Sequence, residues 1–279
     1  MSSSSIHVVI LAAGRGERMR AAFPGIPKSL VPLDHTPMLV RLLRTLQNTL
    51  LDVHAITIVV RPEEEDLFSR ELRRYMSSHF MQKVMFCVQE EQMGYGTAAG
   101  LQAFASTTSA YHDDRYMVLN GDAPLVLAET LHKMMMVAPN ADLVVGTVFM
   151  QDPSGYGRVV RMGGGSGIKI LEQKEIDALP SNDPSRKVCE VNTGIYLMTK
   201  ELVQKTQKIE ECPVTKEKKL TDICGWTESA HVFSGFTEEE TLNINSPLDR
   251  NYAEYILFQK RTEAIHRPLY ALLAKDMRR

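Results

Sequence analysis

Cysteine and long apolar segments are scarce in this sequence. Its four cysteines in 279 residues form no C-x-x-C pair, which argues against a disulfide scaffold and a zinc site and is typical of a reducing cytoplasm. No apolar run approaches the roughly 18 residues of a membrane span, and "MSSSS" places no basic segment before the short run Val8–Leu11. We therefore expect a cytoplasmic protein that binds no membrane.

An excess of either charge is also missing. The 32 Lys and Arg residues nearly balance the 34 Asp and Glu residues, for a formal net charge of -2. Such a chain has no global field that would attract nucleic acid or an anionic membrane, so any phosphate site must be local. With 44% hydrophobic residues the chain can bury a full core, as one large domain or two modest ones.

Short apolar runs alternate with helical patterns through about the first 150 residues. The runs are rich in β-branched residues and predict strands buried on both faces, while Met38 to Leu50 and the segment from Pro62 carry helical patterns. This alternation predicts βαβ units in a doubly wound, mostly parallel twisted α/β sheet, with ligands beyond the carboxyl ends of the strands. The predicted strands are Ile6 to Leu11, Ala55 to Val60, Lys83 to Val88, Tyr116 to Asn120 and Ala141 to Phe149.

The second half of the chain has a different pattern. "GYGRVVR" and "IKILEQKE", joined by "MGGGSG", predict a hairpin, and "CEVNTGIYLM" predicts a further strand, so a smaller mixed region follows the first. An amphipathic helix is expected from Pro247 to Pro268. We expect one domain over 1–279, comprising a nucleotide-binding half (1–150), a second half (151–246) and a C-terminal helical segment (247–279).

The segment "VVILAAGRGERMR", Val8–Arg20, lacks both familiar phosphate-binding signatures. A Rossmann fingerprint needs a third glycine where Met19 stands, and a P-loop needs a lysine followed by serine or threonine. Small residues instead follow the strand, so backbone N–H groups can approach an anion while arginines supply charge. A tight turn without a ligand is the alternative. The residues concerned are Leu11, Ala12, Ala13, Gly14 and Gly16, with Arg15, Arg18 and Arg20.

Polar residues also follow two later predicted strands. The amide of Gln89 offers a donor and an acceptor that suit a uracil edge, and Gly94 permits close backbone approach. Asp122 ends a strand in a glycine turn and suits Mg²⁺, which prefers few carboxylates plus phosphate oxygens. The alternatives are a solvent-facing glutamine and a turn or capping aspartate.

Taken in order, these segments resemble the sugar nucleotidyltransferases. The shared motifs are "LAAGRGERM" followed by "PK" at Pro27 and Lys28, then "QEEQMGYG", "NGD", "DPSGYGRVVR", "ILEQKE", "EVNTGI" and "NINSPL", which together extend from residue 8 to about 250. Within the family the resemblance is strongest to the uridylyltransferase domain of N-acetylglucosamine-1-phosphate uridylyltransferase. The hexapeptide repeats of an acetyltransferase domain do not follow, so acetyl transfer is not predicted.

The resemblance implies a Rossmann-like fold of the GT-A nucleotidyltransferase type with a sugar-binding insertion. It also implies that UTP and N-acetylglucosamine 1-phosphate yield UDP-N-acetylglucosamine and pyrophosphate with Mg²⁺ as cofactor. Arg18 and Lys28 would stabilise charge, and the loop residues from Leu11 to Gly16, with Gln89 and Gly94, would bind the nucleotide. The implied sugar contacts are Gly157, Glu172 and Asn192, and the implied metal ligands are Asp122 and Asn245.

Two residues depart from the family pattern and keep alternatives open. Glu17 puts a negative charge in the phosphate loop, and Tyr95 stands where a small threonine is usual. These departures leave a catalytically silent UDP-sugar sensor as an alternative. A transferase for another sugar phosphate and a cytidylyltransferase for a small alcohol phosphate are the alternatives among enzymes. The sequence leaves the oligomeric state open, and Ser246 with Pro247 also forms a sound helix start, independent of any role for Asn245.

Overall fold

A nine-stranded mixed sheet forms the centre of the protein in a computed structural model. The structure describes residues 5–107, 113–162, 167–212 and 216–276, with the backbone alone for 265–276. The strands of the large sheet follow the order β5-β4-β1-β6-β10-β7-β11, and β8 and β9 extend it through β10. The strands are β1 (Ile6–Leu11), β2 (Pro32–Leu33), β3 (Thr36–Pro37), β4 (Val53–Val60), β5 (Val84–Val88), β6 (Arg115–Asn120), β7 (Leu143–Phe149), β8 (Arg158–Arg161), β9 (Ile168–Leu171), β10 (Glu190–Thr199) and β11 (Ala230–Phe233).

Helices cover both faces of this sheet. The α-helices of the described chain are α1 (Glu17–Arg20), α2 (Met38–Gln47), α3 (Glu65–Leu72), α4 (Ser78–Met81), α5 (Thr97–Ala105), α6 (Ala128–Val137), α7 (Gln173–Ala178), α8 (Lys200–Lys205) and α9 (Pro247–Asp276). Val8 and Ile10 of β1 face a core layer with residues of α2, α3 and α6, whereas Val9 faces a layer with α5 and α8. Both faces of β1 are buried, which explains its continuous apolar run.

The predicted fold class is confirmed. Strands β5, β4, β1 and β6 are parallel, and all five strands predicted in the first half form. The antiparallel strand β10 then lies between β6 and β7, so the second half completes the same sheet. The predicted hairpin forms as β8 and β9, while 163–166 of its turn lie outside the described residues. The division into one domain with two halves stays a prediction.

The C-terminal helix is longer than the sequence predicted. Helix α9 covers Pro247–Asp276 and passes Pro268, where we expected its end. A proline removes one backbone donor and crowds the preceding turn, but it leaves the other hydrogen bonds of a long helix in place. Of the helices in the described ranges, none has the length and apolar character needed to span a membrane.

Candidate nucleotide-binding site

A cavity of about 960 Å³ lies at the carboxyl ends of the parallel strands. Leu11 at the end of β1, Gln89 after β5 and Asn120 at the end of β6 all line it, as predicted for a doubly wound sheet. Its volume is at the upper end of the range for small-molecule pockets, about 300–1,000 Å³. Seven Lys or Arg side chains line it against four carboxylates, so it favours an anionic ligand although the whole chain is nearly neutral.

The loop after β1 forms one wall of the cavity. At the start of the loop, the N–H of Ala12 donates a hydrogen bond to the carbonyl of Val59 in β4 at 2.9 Å. The N–H groups of Ala13 and Gly14 have no acceptor among the described residues. Gly16 then takes a left-handed φ of 58°, and a Cβ there would lie 2.7 Å from the Cβ of Lys28. The loop thus leaves donors available for an anion and passes close to the catalytic lysine candidate.

Lys28 joins the two predicted metal ligands. Its Nζ donates to Asp122 Oδ2 and, at 2.9 Å, to Asn245 Oδ1. The side chains of Lys28 and Asp122 are 15% and 10% exposed. Three segments that are distant in the sequence therefore converge on one point at the cavity wall.

A small apolar cluster holds this convergence in place. Met19 of α1, Leu125 after β6 and Ile256 of α9 pack together behind the cavity with five further buried residues. The N–H of Ile244 also donates to the carbonyl of Asp122 at 3.0 Å. Helix α9 is capped by Ser246, whose Oγ accepts from the N–H of Asp249 at 3.2 Å. The helix-start alternative for this segment is therefore correct, and it coexists with the contact of Asn245 to Lys28.

The chemistry of these oxygens fits a small hard cation. Asp122 and Asn245 aim a carboxylate and an amide oxygen at a common position, which a Lys28 ammonium occupies in the structure. Asn243 lines the same cavity, and its Oδ1 is buried with no hydrogen-bond partner in the described structure. Magnesium prefers oxygen ligands and usually takes only one or two from protein, with substrate phosphates completing its shell.

The loop from Gln89 to Thr97 forms the second wall. Gln89 donates from Nε2 to the carbonyl of Gly94 at 2.8 Å, so part of the amide expected to face a base supports its own loop. Gly94 takes a φ of 81° but has room around it. The close backbone approach occurs at Gly96 instead, where a Cβ would overlap the carbonyl oxygen of Lys218.

Arg15 and Tyr95 connect the two walls. The guanidinium lies over the tyrosine ring at 4.4 Å from its centroid, and it contacts the tyrosine hydroxyl and Glu91. Arg18 and Glu17 line the cavity on the same side. Tyr95, which the sequence marked as a departure from the family, therefore holds Arg15 rather than leaving it free in the loop.

The predicted sugar residues separate into two groups. Glu172 lines the cavity, caps α7 and accepts from Thr221 Oγ1 at 3.3 Å, and burial raises its pKa. Gly157 and Asn192 are neighbours, joined from the N–H of Asn192 to the carbonyl of Gly157 at 2.9 Å, but neither lines the cavity. The Asn192 amide donates to the hydroxyl of Tyr196 at 2.7 Å. Of the predicted site residues, Arg20, Gly94, Gly157 and Asn192 lie outside the cavity lining.

The sequence-based prediction missed the segment Lys216–Lys219, which forms much of the third wall. Backbone hydrogen bonds hold it against the loop after β5, from Lys218 N–H to the Tyr95 carbonyl at 2.8 Å and from Ala98 N–H to the Lys218 carbonyl at 3.0 Å. Burial lowers the pKa of Lys219, but the hydrogen bond and charge of Glu175 at 3.2 Å, together with Cys212 and Glu172, raise it overall. The lysine run "KEKK" was the available signal.

The fold and this cationic cavity are those of an α/β protein suited to an anionic ligand. The chain belongs to the family described as the MobA-like NTP transferase domain, whose model matches residues 8–174, more than half of its length.

Individual relatives agree with this assignment. The chain is 33% identical to the bifunctional protein GlmU of Pseudoalteromonas atlantica over 217 residues, which is 77% of this chain and 43% of that protein. It is 30% identical to GlmU of Helicobacter pylori over 259 residues, 91% of this chain and 55% of that one. The chain thus spans about half the length of these relatives. A UDP-glucose pyrophosphorylase structure, 13% identical, shares the fold with a TM-score of 0.65 over 91% of this chain and 98% of that chain.

Proposed function

We propose that the protein is a uridylyltransferase that forms UDP-N-acetylglucosamine and pyrophosphate from UTP and N-acetylglucosamine 1-phosphate. The observation that carries the proposal is the Lys28 ammonium shared by Asp122 and Asn245 at the wall of a cationic cavity. The choice of UTP and of this sugar rests on the motifs that resemble the uridylyltransferase branch, above all "DPSGYGRVVR" and "EVNTGI".

The reaction joins two anions, so charge neutralisation and in-line placement are its main demands. A phosphate oxygen of the sugar 1-phosphate attacks the α-phosphorus of UTP, and the bond from that phosphorus to the bridging oxygen breaks as pyrophosphate leaves. The free N–H groups of Ala13 and Gly14 and the side chains of Arg18 and Lys28 would stabilise the charge that moves onto pyrophosphate. The protein needs no covalent nucleophile for this exchange.

Asp122 and Asn245 would hold Mg²⁺, which supplies charge neutralisation on the phosphates when bound. The Lys28 ammonium occupies the position at which both oxygens aim, so bound Mg²⁺ would displace it from there toward the phosphates. On the acceptor side, the Glu172 carboxylate lines the cavity and would accept from sugar hydroxyls. Lys219 lines the same cavity as Glu172. Its side chain is only 15% exposed, so burial limits its movement.

The test is pyrophosphate release with four nucleoside triphosphates against several sugar 1-phosphates. We expect turnover with UTP and N-acetylglucosamine 1-phosphate that requires Mg²⁺. Asp122→Asn and Lys28→Met should each reduce kcat/KM by about 100-fold or more, because Lys28→Met removes a positive charge beside the reacting phosphates and Asp122→Asn removes the carboxylate proposed to hold Mg²⁺. Lys133→Met is the matched control, since Lys133 is an exposed lysine of α6 paired with Glu129.

The alternatives give different results in the same panel. Thermal stabilisation by UDP-N-acetylglucosamine with no pyrophosphate from any pair would support a sensor and contradict the proposal. Turnover with another sugar phosphate or with CTP would replace the proposed substrates while retaining the reaction. Full activity in Asp122→Asn would refute the assigned role of that carboxylate.

A further inference from the structure

Three side chains of types that can bind a metal meet at the amino ends of three strands, at the opposite end of β1 from the cavity. His7 is the second residue of β1, His54 is the second residue of β4, and Asp113 lies two residues before β6. These three strands are parallel neighbours, so their beginnings lie side by side. At about 3.3 Å per residue, His7 is about 13 Å along β1 from Leu11 at the cavity. The cluster is therefore separate from the candidate nucleotide site.

Both imidazoles point a nitrogen at the same carboxylate. His7 Nδ1 lies 2.9 Å from Asp113 Oδ2, and His54 Nε2 lies 2.8 Å from Asp113 Oδ1. One ligand atom from each of the three residues falls within 4.8 Å of the other two. A central ion with bonds of about 2.0–2.2 Å needs donor atoms at this kind of separation.

Hydroxyl groups fix the far side of each ring. His7 Nε2 contacts Thr57 Oγ1 at 2.8 Å, and His54 Nδ1 contacts Ser5 Oγ at 2.5 Å. An oxygen partner on the second ring nitrogen is the usual arrangement for histidines that bind metals, because it sets the ring orientation and the tautomer. His7 is 1% exposed and Asp113 has a 14% exposed side chain, whereas His54 at 38% borders solvent.

We propose that His7, His54 and Asp113 form a binding site for a divalent transition metal of the zinc type. The ligands would be His7 Nδ1, His54 Nε2 and a carboxylate oxygen of Asp113, with a water molecule on the solvent side beside His54. His7 would bind the metal as the tautomer that carries its proton on Nε2 and donates it to Thr57 Oγ1, so the imidazole is neutral as metal ligation requires. Imidazole ligands favour Zn²⁺ over Mg²⁺, which distinguishes this site from the oxygen pair at the cavity.

The expected consequence is a cross-link between the first residues of three strands. It would join β1 to β4 and to the segment that enters β6, at the opposite end of β1 from the phosphate loop. Because the ion binds only the folded arrangement, it should raise the unfolding temperature, and the increase should continue with the logarithm of the free ion concentration above the dissociation constant. Nothing in this inference depends on the proposed transferase activity.

The experiment uses metal-stripped full-length protein titrated with Zn²⁺ and, for spectroscopy, Co²⁺. We expect one ion per chain, ligand-field absorption of a low-coordinate Co²⁺ site, and an unfolding temperature that rises with Zn²⁺ but not with Mg²⁺. His54→Ala and Asp113→Asn should abolish all three signals. Thr57→Val should lower the affinity by about 10–100-fold while retaining the Co²⁺ spectrum, because it removes only the oxygen that orients His7.

Two control variants localise the signal. His79→Ala removes an exposed histidine of α4, and Asp122→Asn removes the carboxylate at the cavity; both should bind Zn²⁺ like wild type. The proposal is overturned if wild type binds no stoichiometric Zn²⁺, a result independent of how any variant folds. It is equally overturned if binding survives in both His54→Ala and Asp113→Asn, or is lost in Asp122→Asn alone.

Discussion

Gly96→Ala should destabilise the protein strongly. Gly96 has a φ of 101° and a ψ of 170°, a region that side chains rarely adopt. An added Cβ would overlap the carbonyl oxygen of Lys218 and lie 2.9 Å from its backbone nitrogen. Both contacts are with backbone atoms, so no flexible side chain can move aside to make room.

The size of the effect follows from two contributions. Backbone strain of this kind costs about 1–3 kcal/mol. The overlap could also be relieved if the loop around Gly96 moved away from Lys218. That movement would break the hydrogen bonds from Lys218 N–H to the Tyr95 carbonyl and from Ala98 N–H to the Lys218 carbonyl, each contributing about 1 kcal/mol. We therefore expect a loss of about 3 kcal/mol in the free energy of unfolding, or detachment of the segment Lys216–Lys219 from the cavity wall.

Urea denaturation measures the first outcome, and limited proteolysis within Lys216–Lys219 measures the second. Gly225→Ala is the control, because Gly225 has no atom within 4 Å of the added Cβ position and no positive φ; it should change stability by no more than about 0.5 kcal/mol. A Gly96→Ala protein with the stability and protease resistance of Gly225→Ala would refute the argument from backbone overlap.

Three further predictions concern the helix start, the buried carboxyl and the thiols. Ser246→Ala should cost about 1 kcal/mol of stability in urea denaturation, because it removes the cap of α9. Burial raises the pKa of Glu172 above its ordinary 4.5, so its ionisation opposes folding as pH rises; Glu172→Gln should gain stability relative to wild type between pH 4.5 and pH 7. Burial also raises the pKa of Cys87 to about 11 and of Cys224 to about 12, so at pH 8 at most about one in a thousand of these thiols is ionised and both should resist alkylation that labels exposed Cys189, as peptide mass spectrometry can measure.

Each of these predictions has a contrary result. Unchanged stability in Ser246→Ala would show that the cap of α9 contributes little. A constant stability difference between Glu172→Gln and wild type from pH 4.5 to pH 7 would contradict the raised pKa. Labelling of Cys224 as fast as Cys189 in native protein would contradict its burial.

The strands in the first half of the sheet were predictable because a strand that is buried on both faces has a continuous run of apolar residues. β1, with its six residues from Ile6, and β4 illustrate this, since each strand is recognisable without its neighbours. The position of β10 between β6 and β7 was not predictable, because pairing order depends on contacts between distant segments. Short β11 was missed, since four residues give too little pattern.

The parts of the candidate site that are formed by local sequence motifs were predictable. The loop after β1 shows its small residues directly, and the resemblance indicated Lys28, Asp122 and Asn245, which the structure brings together. The wall formed by Lys216–Lys219 was missed, because its contact with Tyr95 crosses about 120 residues of sequence and leaves no periodic signal. Likewise, the spacing of His7 from its two partners matches no ligand motif.

The ammonium of Lys28 has a consequence for the geometry of the cavity when the proposed cation is absent. It neutralises Asp122 and fastens together loops that lie 94 and 217 residues away in the chain. Lys28 would thus act as a resident substitute for the Mg²⁺ proposed at this position, and the cavity would retain its counter-charge when divalent ions are scarce. Chelation of Mg²⁺ should therefore stop catalysis while leaving the shape of the cavity intact.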